Sequence, residues 1–472
     1  MHLQIFFTGL CCRKNMKDTI EVEKMSKEND PKARRETPEE KERRLRKQRR
    51  RREAMRRRRR RALLIRAALA VTAIVLIIVL VVFITGKVRS RSEKAKTDKE
   101  MEAAQKEVIM ETVDTQDILH LSFLSLIADT DMAFSQENEQ KAAVLDQSRL
   151  TVEEFNQILR QLYNDGYVLV KLSDLAEPGE EGIMTEKELQ LPQGKKPLIL
   201  SQQNVSYDLE YSGMGIASRL LVDENGKLTS EKRQSDGTYV TGAYDIVPCV
   251  DAFVEEHPDF SHNGARGILG LTGYNGILGY RTEEAMASSA GNKYASKYGV
   301  FDTASEIEAV KPVIDALIAE GWEFACNGYE NVSYASDLET VRTDIQKWKE
   351  NVGKLLGEVK VLMYPNGTDI GEESVYTSEN EKYVYLKSQG FQYFGAMNIA
   401  SSQTQVTEEY YRCNYKNLDG YRMYQDLYGN AGRFAGILDF TAIYDQNRPS
   451  VPTEDTEGSD GLQADSTGTE NQ

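Results

Sequence analysis

The feature that most constrains this chain of 472 residues is an uncharged apolar run from Ala67 to Thr85. At a rise of about 1.5 Å per residue, a helix of this length crosses the hydrocarbon core of a bilayer. A cleaved signal peptide is the alternative. However, the run lies well inside the chain and no small-residue cleavage site closes it. We therefore predict one uncleaved transmembrane helix over residues 64–86.

Charge divides the chain at the same place. Residues 1–86 carry 24 Lys and Arg against 10 Asp and Glu, whereas the remaining residues carry 35 against 64. Because positive flanks stay in the cytoplasm, we expect a basic cytoplasmic segment over 1–63 and an extracellular C-terminal part. The run Arg56–Arg61 is then a topology determinant, with binding of RNA or acidic lipid as the alternative. The acidic outer part repels phosphate, which excludes general nucleic-acid binding there.

The outer part has three regions of different composition. Residues 87–117 are charged and compatible with a helix, and we interpret them as a stalk that lifts the rest from the membrane. A globular region follows over 118–449. The acidic tail 450–472 holds few large apolar residues, so we expect it to be disordered.

Helical and strand patterns alternate within residues 118–449, which is typical of an α/β fold with parallel strands. The first helix is predicted near Thr151, an N-cap residue, with Glu154 three positions later and Gly166 as the terminator. Two long helices are predicted near 304–320 and 338–357. Strands are predicted in the short apolar runs 168–175, 196–202, 267–273, 321–327, 358–365 and 391–398.

Polar residues follow three of these predicted strands. The relevant segments are 198–207, 321–334 and 360–371. In folds with parallel strands, chemistry is concentrated at the carboxyl ends of the strands, so we expect these segments to meet in one site.

The order, spacing and context of the three segments resemble the polysaccharide deacetylases, the NodB-like metal-dependent de-N-acetylases of the carbohydrate esterase family 4 type. In that family a first strand ends in a Thr-Phe-Asp-Asp-Gly-like motif, a later one in His-x-x-x-His and a third near Tyr-Pro-x-Gly. The resemblance covers residues 118–449. It implies a deformed (β/α) barrel and hydrolysis of amide bonds in an extracellular polysaccharide.

The same resemblance implies where the site residues lie, and all of them are replaced. The family's first Asp is a general base, and its second Asp and two His bind a divalent metal, commonly zinc. By position the base falls on Gln203 and the ligands fall on Asn204, Asn327 and Asn331. An amide nitrogen has no useful basicity, and zinc sites need thiolate, imidazole or carboxylate. We therefore expect no bound metal, with zinc as the cofactor only if unconventional ligands hold it.

Other residues are candidates for lining a substrate groove. The resemblance places there Tyr364, Pro365, Asn366 and Gly367. Tyr280 and Arg281 are further candidates for substrate contact, with packing of their loop as the alternative. A tyrosine cluster offers either aromatic stacking on sugar rings or ordinary surface packing; its members are Tyr410, Tyr411, Tyr415, Tyr421, Tyr424 and Tyr428.

Three functions are compatible with this pattern. The first is a membrane-anchored extracellular protein, catalytically impaired, that binds cell-wall polysaccharide or peptidoglycan without hydrolysing it. The second is an active metal-dependent polysaccharide de-N-acetylase with unconventional ligands. The third is a scaffold protein of the cell envelope, in which the basic segment and the stalk assemble partners.

Overall fold

Strands and helices alternate along the chain in the computed structural model, as the sequence pattern predicts. The structure describes residues 109–449 except 117, 136–138, 180–181, 372–373 and 398–403. All of these belong to one of the two units of the chain, Val108–Gln472. The predicted cytoplasmic segment, transmembrane helix and acidic tail lie outside the described residues, as does most of the predicted stalk. Among the described residues, which are 109–449 without the stated gaps, no helix is long and apolar enough to cross a membrane.

The elements are as follows. The strands are β1 (Met110–Thr112), β2 (Leu119–Phe123), β3 (Tyr167–Leu169), β4 (Ala176–Pro178), β5 (Met184–Glu186), β6 (Gln190–Pro192), β7 (Lys196–Gln202), β8 (Ala217–Val222), β9 (Leu228–Arg233), β10 (Tyr239–Gly242), β11 (Ile268–Leu271), β12 (Glu323–Cys326), β13 (Val361–Met363), β14 (Tyr393–Ala396), β15 (Gln405–Val406), β16 (Tyr411–Asn414) and β17 (Lys416–Asn417). The α-helices are α1 (Thr130–Ala133), α2 (Glu139–Ser148), α3 (Val152–Asn164), α4 (Leu172–Leu175), α5 (Ile246–Glu256), α6 (Ala295–Tyr298), α7 (Thr303–Glu320), α8 (Leu338–Trp348), α9 (Lys354–Leu356), α10 (Glu381–Ser388), α11 (Gly420–Tyr428) and α12 (Phe440–Ile443). Short 3₁₀ turns occur at Leu209–Tyr211, Pro258–Phe260, Glu284–Ala287 and Pro365–Gly367, and a π turn at Lys349–Gly353.

The main sheet is curled and mostly parallel. Its strand order is β15-β16-β14-β13-β12-β11-β7-β2-β17, with β3 pairing separately with β7. Only the β15–β16 pair in this sheet, as described, is antiparallel. β16 pairs with β14, and β17 pairs with β2. Along the chain, only Tyr415 separates β16 from β17. One short segment, 411–417, therefore supplies the edge strand β17 and also β16, the strand next to the opposite edge.

Side-chain alternation separates two apolar clusters on the two faces of this sheet. On β7, Leu198 and Leu200 belong to the larger cluster, which also includes Phe155 of α3. Ile199 points to the other face and belongs to a cluster enclosed by the strands. Residues after β3, including Leu175, Met184 and Leu191, join this second cluster and cover it at the amino ends of the strands.

The α/β class predicted from the sequence is confirmed, and so is the predicted capped helix, which is α3. Thr151 accepts a hydrogen bond from the backbone of Glu154, whose side chain accepts one from the backbone of Thr151 in return. The predicted strand over 168–175 is wrong in its second half. There Asp174 accepts a hydrogen bond from the backbone N–H of Lys171 and stabilises the short helix α4.

The folded region begins earlier than residue 118. β1 lies inside the segment interpreted as a stalk, and it pairs antiparallel with β6. Because an isolated strand leaves its backbone groups unpaired, this pairing makes β1 part of the folded unit.

Candidate functional site

The predicted site residues lie at the carboxyl ends of neighbouring parallel strands. Gln203 and Asn204 follow β7 directly, and Asn327 follows β12. β11 lies between these two strands, and β13, which precedes Asn366, pairs with β12 on the other side. The backbone N–H of Asn204 donates to Oδ1 of Asn327 at 3.0 Å. Residues 123 positions apart in the sequence thus meet in direct contact.

Gln203 is buried, and its side-chain amide is fully engaged with neighbours. Its Nε2 donates to Oγ of Ser122 and to Oδ1 of Asn417, each at 2.8 Å. The hydroxyl of Tyr415 donates to its Oε1 at 3.2 Å. This amide acts as a hydrogen-bonding centre between β7, β2 and the segment that joins β16 to β17.

A second part of the site is formed by Asn204, Thr272 and Asn327. The hydroxyl of Thr272, which follows β11, donates to Oδ1 of Asn204 at 2.8 Å. Nδ2 of Asn327 donates to the carbonyl of Met363 in β13 at 3.0 Å. Asn327 is buried and satisfies backbone groups on both sides, whereas Asn204 is half-buried.

A third part pairs two loops through amides. Nδ2 of Asn331 donates to Oδ1 of Asn366 at 3.0 Å, and Nδ2 of Asn366 donates to the carbonyl of Asn331 at 3.1 Å. The loop that carries Asn331 is held by Asp344 of α8. Its carboxylate accepts hydrogen bonds from the backbone of Tyr329 and Glu330 and from the hydroxyl of Tyr334, each at 2.9 Å. Burial of this carboxylate, against those bonds, raises its pKa.

Backbone conformation gives a separate reason for asparagine at three of these positions. Asn204, Asn331 and Asn366 have φ of 54°, 57° and 55°, in the left-handed region that asparagine adopts more readily than most residues. Gly328 has φ of 74°, and a Cβ there would lie 2.8 Å from Oδ2 of Asp344. The site is therefore built on tight turns that leave the strand ends.

We call this set of side chains the strand-end network. Its members are Ser122, Gln203, Asn204, Thr272, Asn327, Asn331, Asn366, Tyr415 and Asn417. All carry amides or hydroxyls, and none is ionised near neutral pH. Burial raises the pKa of Tyr415 above its ordinary value. Burial lowers the pKa of His120, on the same face of β2 as Ser122, to about 3, so that its ring is also neutral.

These residues do not fit a zinc ion. Zinc in proteins is held by thiolate, imidazole or carboxylate groups, and the positions predicted as ligand equivalents offer only amides. Oδ1 of Asn204 and Oδ1 of Asn327 already accept hydrogen bonds from the protein. Across the part of the chain that the structure describes, no group of three or more His, Cys, Asp or Glu side chains is placed to hold a metal ion.

The predicted groove around Tyr364 requires correction. Tyr364 is 0% exposed, stacks on Phe394 and donates its hydroxyl to that of Tyr376 at 2.9 Å. Pro365 and Gly367 are also buried. Of the four residues predicted to line a groove, only Asn366 reaches the surface. The other three pack beneath it.

Tyr280 and Arg281 also differ from the prediction of substrate contact. Both are buried. The guanidinium of Arg281 donates to the backbone carbonyls of Ser206, Asn275 and Tyr207, and burial lowers its pKa to about 10. These contacts correspond to the alternative, packing of the loop.

Three members of the network were not identified in the sequence, namely Ser122, Thr272 and Asn417. Tyr415 was predicted as a member of the tyrosine cluster but not as a partner of Gln203. Thr272 follows an apolar run that was predicted as a strand, so its position at a carboxyl end was available as a signal. Asn417 enters the site because β17 pairs with β2, a pairing between segments about 300 residues apart that no local pattern indicates.

Comparisons with known proteins give matches among solved structures alone. No family model matches the sequence, and no curated protein matches it. The chain is similar to a deacetylase from Streptococcus pyogenes in complex with acetate, with 10% identity, 67% of this chain and 98% of that chain covered and a TM-score of 0.34. It is also similar to a polysaccharide deacetylase from Bacillus cereus, with 10% identity, 66% and 69% covered and a TM-score of 0.32. TM-scores of this size do not establish a common fold, so membership of the family remains a prediction.

Proposed function

We propose that this chain is a membrane-anchored, extracellular polysaccharide deacetylase-like protein that binds cell-wall glycan through the strand-end network and does not hydrolyse it. The single observation that carries the proposal is the neutrality of this network. Amides and hydroxyls occupy the carboxyl ends of β7, β11 and β12, where the sequence resemblance implies a base and metal ligands.

The contacts of Gln203 argue against a base at its position. A general base must accept a proton from water in the course of the reaction. Nε2 of Gln203 has no available lone pair, and it already donates two hydrogen bonds. Oε1 of the same amide accepts from Tyr415. The side chain is held as a structural hydrogen-bonding group.

The exposed part of the network suits a sugar ligand. Asn204, Asn331 and Asn366 are half-buried, so their amides reach solvent at the carboxyl edge of the sheet. Amides both donate and accept hydrogen bonds, which matches the hydroxyl and acetamide groups of an N-acetylated glycan. A charged ligand in this neutral site would lose its hydration without gaining a charged partner, whereas a neutral ligand has no such cost.

Anchoring is part of the same proposal. The apolar run Ala67–Thr85 and its basic flank predict a domain held on the outer side of the membrane. A tethered domain meets a ligand in the adjacent wall at a high effective concentration, so a modest affinity suffices.

The full chain in detergent micelles tests the proposal. We expect it to co-sediment with peptidoglycan and to release no acetate from N-acetylated chitooligosaccharide, with or without added zinc. Metal-dependent acetate release would contradict the proposal in favour of an active de-N-acetylase. Failure to bind any glycan would contradict it in favour of the scaffold.

A matched pair of variants locates the binding. Asn204→Gly removes the network amide while tolerating the left-handed backbone, and we expect binding about five- to tenfold weaker. Asn263→Gly is the control, because Asn263 is exposed, has φ of 50° and lies outside the network. Equal binding by the two variants would show that the glycan contacts another surface.

A further inference from the structure

The predicted tyrosine cluster consists of two groups with different environments. Tyr410, Tyr411 and Tyr415 are buried in the clusters around the main sheet. Tyr421 is 37% exposed and Tyr428 is 57% exposed, both on α11. The tyrosines of the first group therefore pack in the protein interior, and only those of the second group are accessible to a ligand.

The exposed group forms a row along one face of α11. Tyr421, Tyr424 and Tyr428 are spaced by three and four residues, which places them on the same side of the helix, while Met423 faces the core. The rings of Tyr424 and Tyr428 have centroids 4.9 Å apart, and that of Tyr444 lies edge-on to Tyr428 at 6.3 Å. We call Tyr421, Tyr424, Tyr428 and Tyr444 the tyrosine face.

This face continues from the strand-end network. Asn417, which accepts a hydrogen bond from Gln203, lies four residues before Tyr421. Asp419 between them caps α11 by accepting from the backbone of Arg422 at 2.8 Å. Since α11 starts three residues after the end of β17, the first tyrosine of the row follows the network closely along the chain. The row extends about 10 Å from there to Tyr428 at the usual helical rise.

The charges on α11 are compensated within the protein. Arg422 forms an ion pair with Asp419. Asp426 accepts hydrogen bonds from the backbone of Arg433 at 2.9 Å and of Phe434 at 2.7 Å. Both charged side chains of α11 are thus held by partners within the protein, and the row itself presents aromatic rings and hydroxyls. This favours a neutral ligand with apolar ring faces and hydroxyl edges over a nucleic acid or an acidic peptide.

We propose that the tyrosine face binds the continuation of the glycan chain that occupies the strand-end network, so that the protein prefers long neutral glycans over short ones. This inference rests on the proposed function. Tyrosine rings provide stacking area at a small cost in side-chain entropy, and their hydroxyls satisfy the rim of each sugar.

Affinities for the N-acetylglucosamine dimer and hexamer, measured by calorimetry on the full chain in detergent micelles, test the inference. We expect the double variant Tyr421→Ser/Tyr428→Ser to bind the hexamer about tenfold more weakly and the dimer unchanged. Tyr239→Ser is the control, because Tyr239 on β10 is 51% exposed and belongs to neither site.

The outcomes separate this inference from the proposed function. If the wild type binds neither oligomer, the proposed function fails. If it binds both and the double variant matches the wild type on the hexamer, only the inference fails. A change of oligomeric state in the double variant, measured by sedimentation velocity, would instead make the face a contact between copies and would overturn the inference.

Discussion

Two polar clusters in this domain, one partly exposed and one buried, are built from opposite chemistry. The strand-end network contains only neutral amides and hydroxyls. A second cluster, which we call the Arg448 clamp, consists of Arg448, Glu154 and Asp146. Nε of Arg448 donates to Glu154 at 2.6 Å, and Nη1 donates to Asp146 at 2.6 Å. All three side chains are nearly inaccessible to solvent.

The difference shows that buried charged side chains occur where each of them has a charged, hydrogen-bonded partner within the protein. Burial disfavours the charged guanidinium, but the hydrogen bonds and charges of Glu154 and Asp146 outweigh that effect and raise the pKa of Arg448. Burial raises the pKa of Asp146 in spite of Arg448. The clamp joins the end of the domain to α3 and leaves no group for a ligand. The network keeps neutral groups that reach solvent.

The largest expected effect comes from breaking the clamp. Arg448→Met leaves two buried carboxylates without their partner, and we expect the free energy of unfolding to fall by about 3–5 kcal/mol. Chemical denaturation of the full chain in micelles measures this. Lys311→Met is the control, because the pair of Lys311 with Glu308 is exposed and is worth less than about 1 kcal/mol. Equal losses in both variants would contradict a specific role for the clamp.

Breaking the network has a somewhat smaller expected effect. Asn327→Leu leaves the N–H of Asn204 and the carbonyl of Met363 without their partners. We expect a loss of about 2–4 kcal/mol in the free energy of unfolding, together with weaker glycan binding. Asn225→Leu, in an exposed turn, serves as the control and is expected to change neither quantity. A stable Asn327→Leu variant that still binds glycan would show that the network is dispensable.

A half-buried carboxyl, that of Glu323 at the amino end of β12, provides a pH-dependent comparison. Burial raises the pKa of Glu323 to about 7 from an ordinary 4.5. The folded state binds the proton of Glu323 more tightly than the unfolded state does. The resulting gain in the free energy of unfolding is therefore complete below pH 4.5 and is lost as pH rises through 7. The free energy of unfolding of the wild type should therefore fall between roughly pH 5 and 8. We expect this fall to be about 2 kcal/mol smaller in Glu323→Gln, which has no carboxyl to titrate. Parallel stability curves for the variant and the wild type would refute the assignment.

The smallest expected effect is that of pH on glycan binding, because we expect no change in affinity at all. No member of the strand-end network titrates near neutral pH, so the dissociation constant should stay constant between about pH 5.5 and 8.5. Calorimetry across this range, limited to pH values at which the protein is folded, measures it. A bell-shaped or sigmoidal dependence would reveal an ionising group in the site and would contradict its neutral character.

Local patterns predicted much of the fold because they depend on neighbouring residues. Thr151 and Glu154 form the expected capping box, and the alternation of helices and apolar runs gave the α/β class. The second role of Glu154, in the clamp, depends on a residue 294 positions away and has no local signal. The same limit applies to Asn417, which reaches Gln203 only through the pairing of β17 with β2.

The sequence predicted which residues meet at the candidate site better than it predicted which neighbouring residues are exposed. The resemblance placed Gln203, Asn204 and Asn327 together, and the structure brings them into contact or close to one another. It also implied that Tyr364 lines a groove, but Tyr364 is buried. Arg281 was a separate candidate with loop packing as the alternative, and the structure shows that alternative. A motif indicates which residue type occurs at a strand end, but the direction of the side chain depends on packing against distant elements such as Phe394 and Tyr376.

The most direct test of the central claim is the affinity of the chelated full chain for the N-acetylglucosamine hexamer. After treatment with EDTA, calorimetry is performed with and without added zinc. A neutral amide site that binds without a metal predicts the same dissociation constant in both conditions. Binding that disappears on chelation and returns with zinc would contradict the claim and would place a metal at the strand ends.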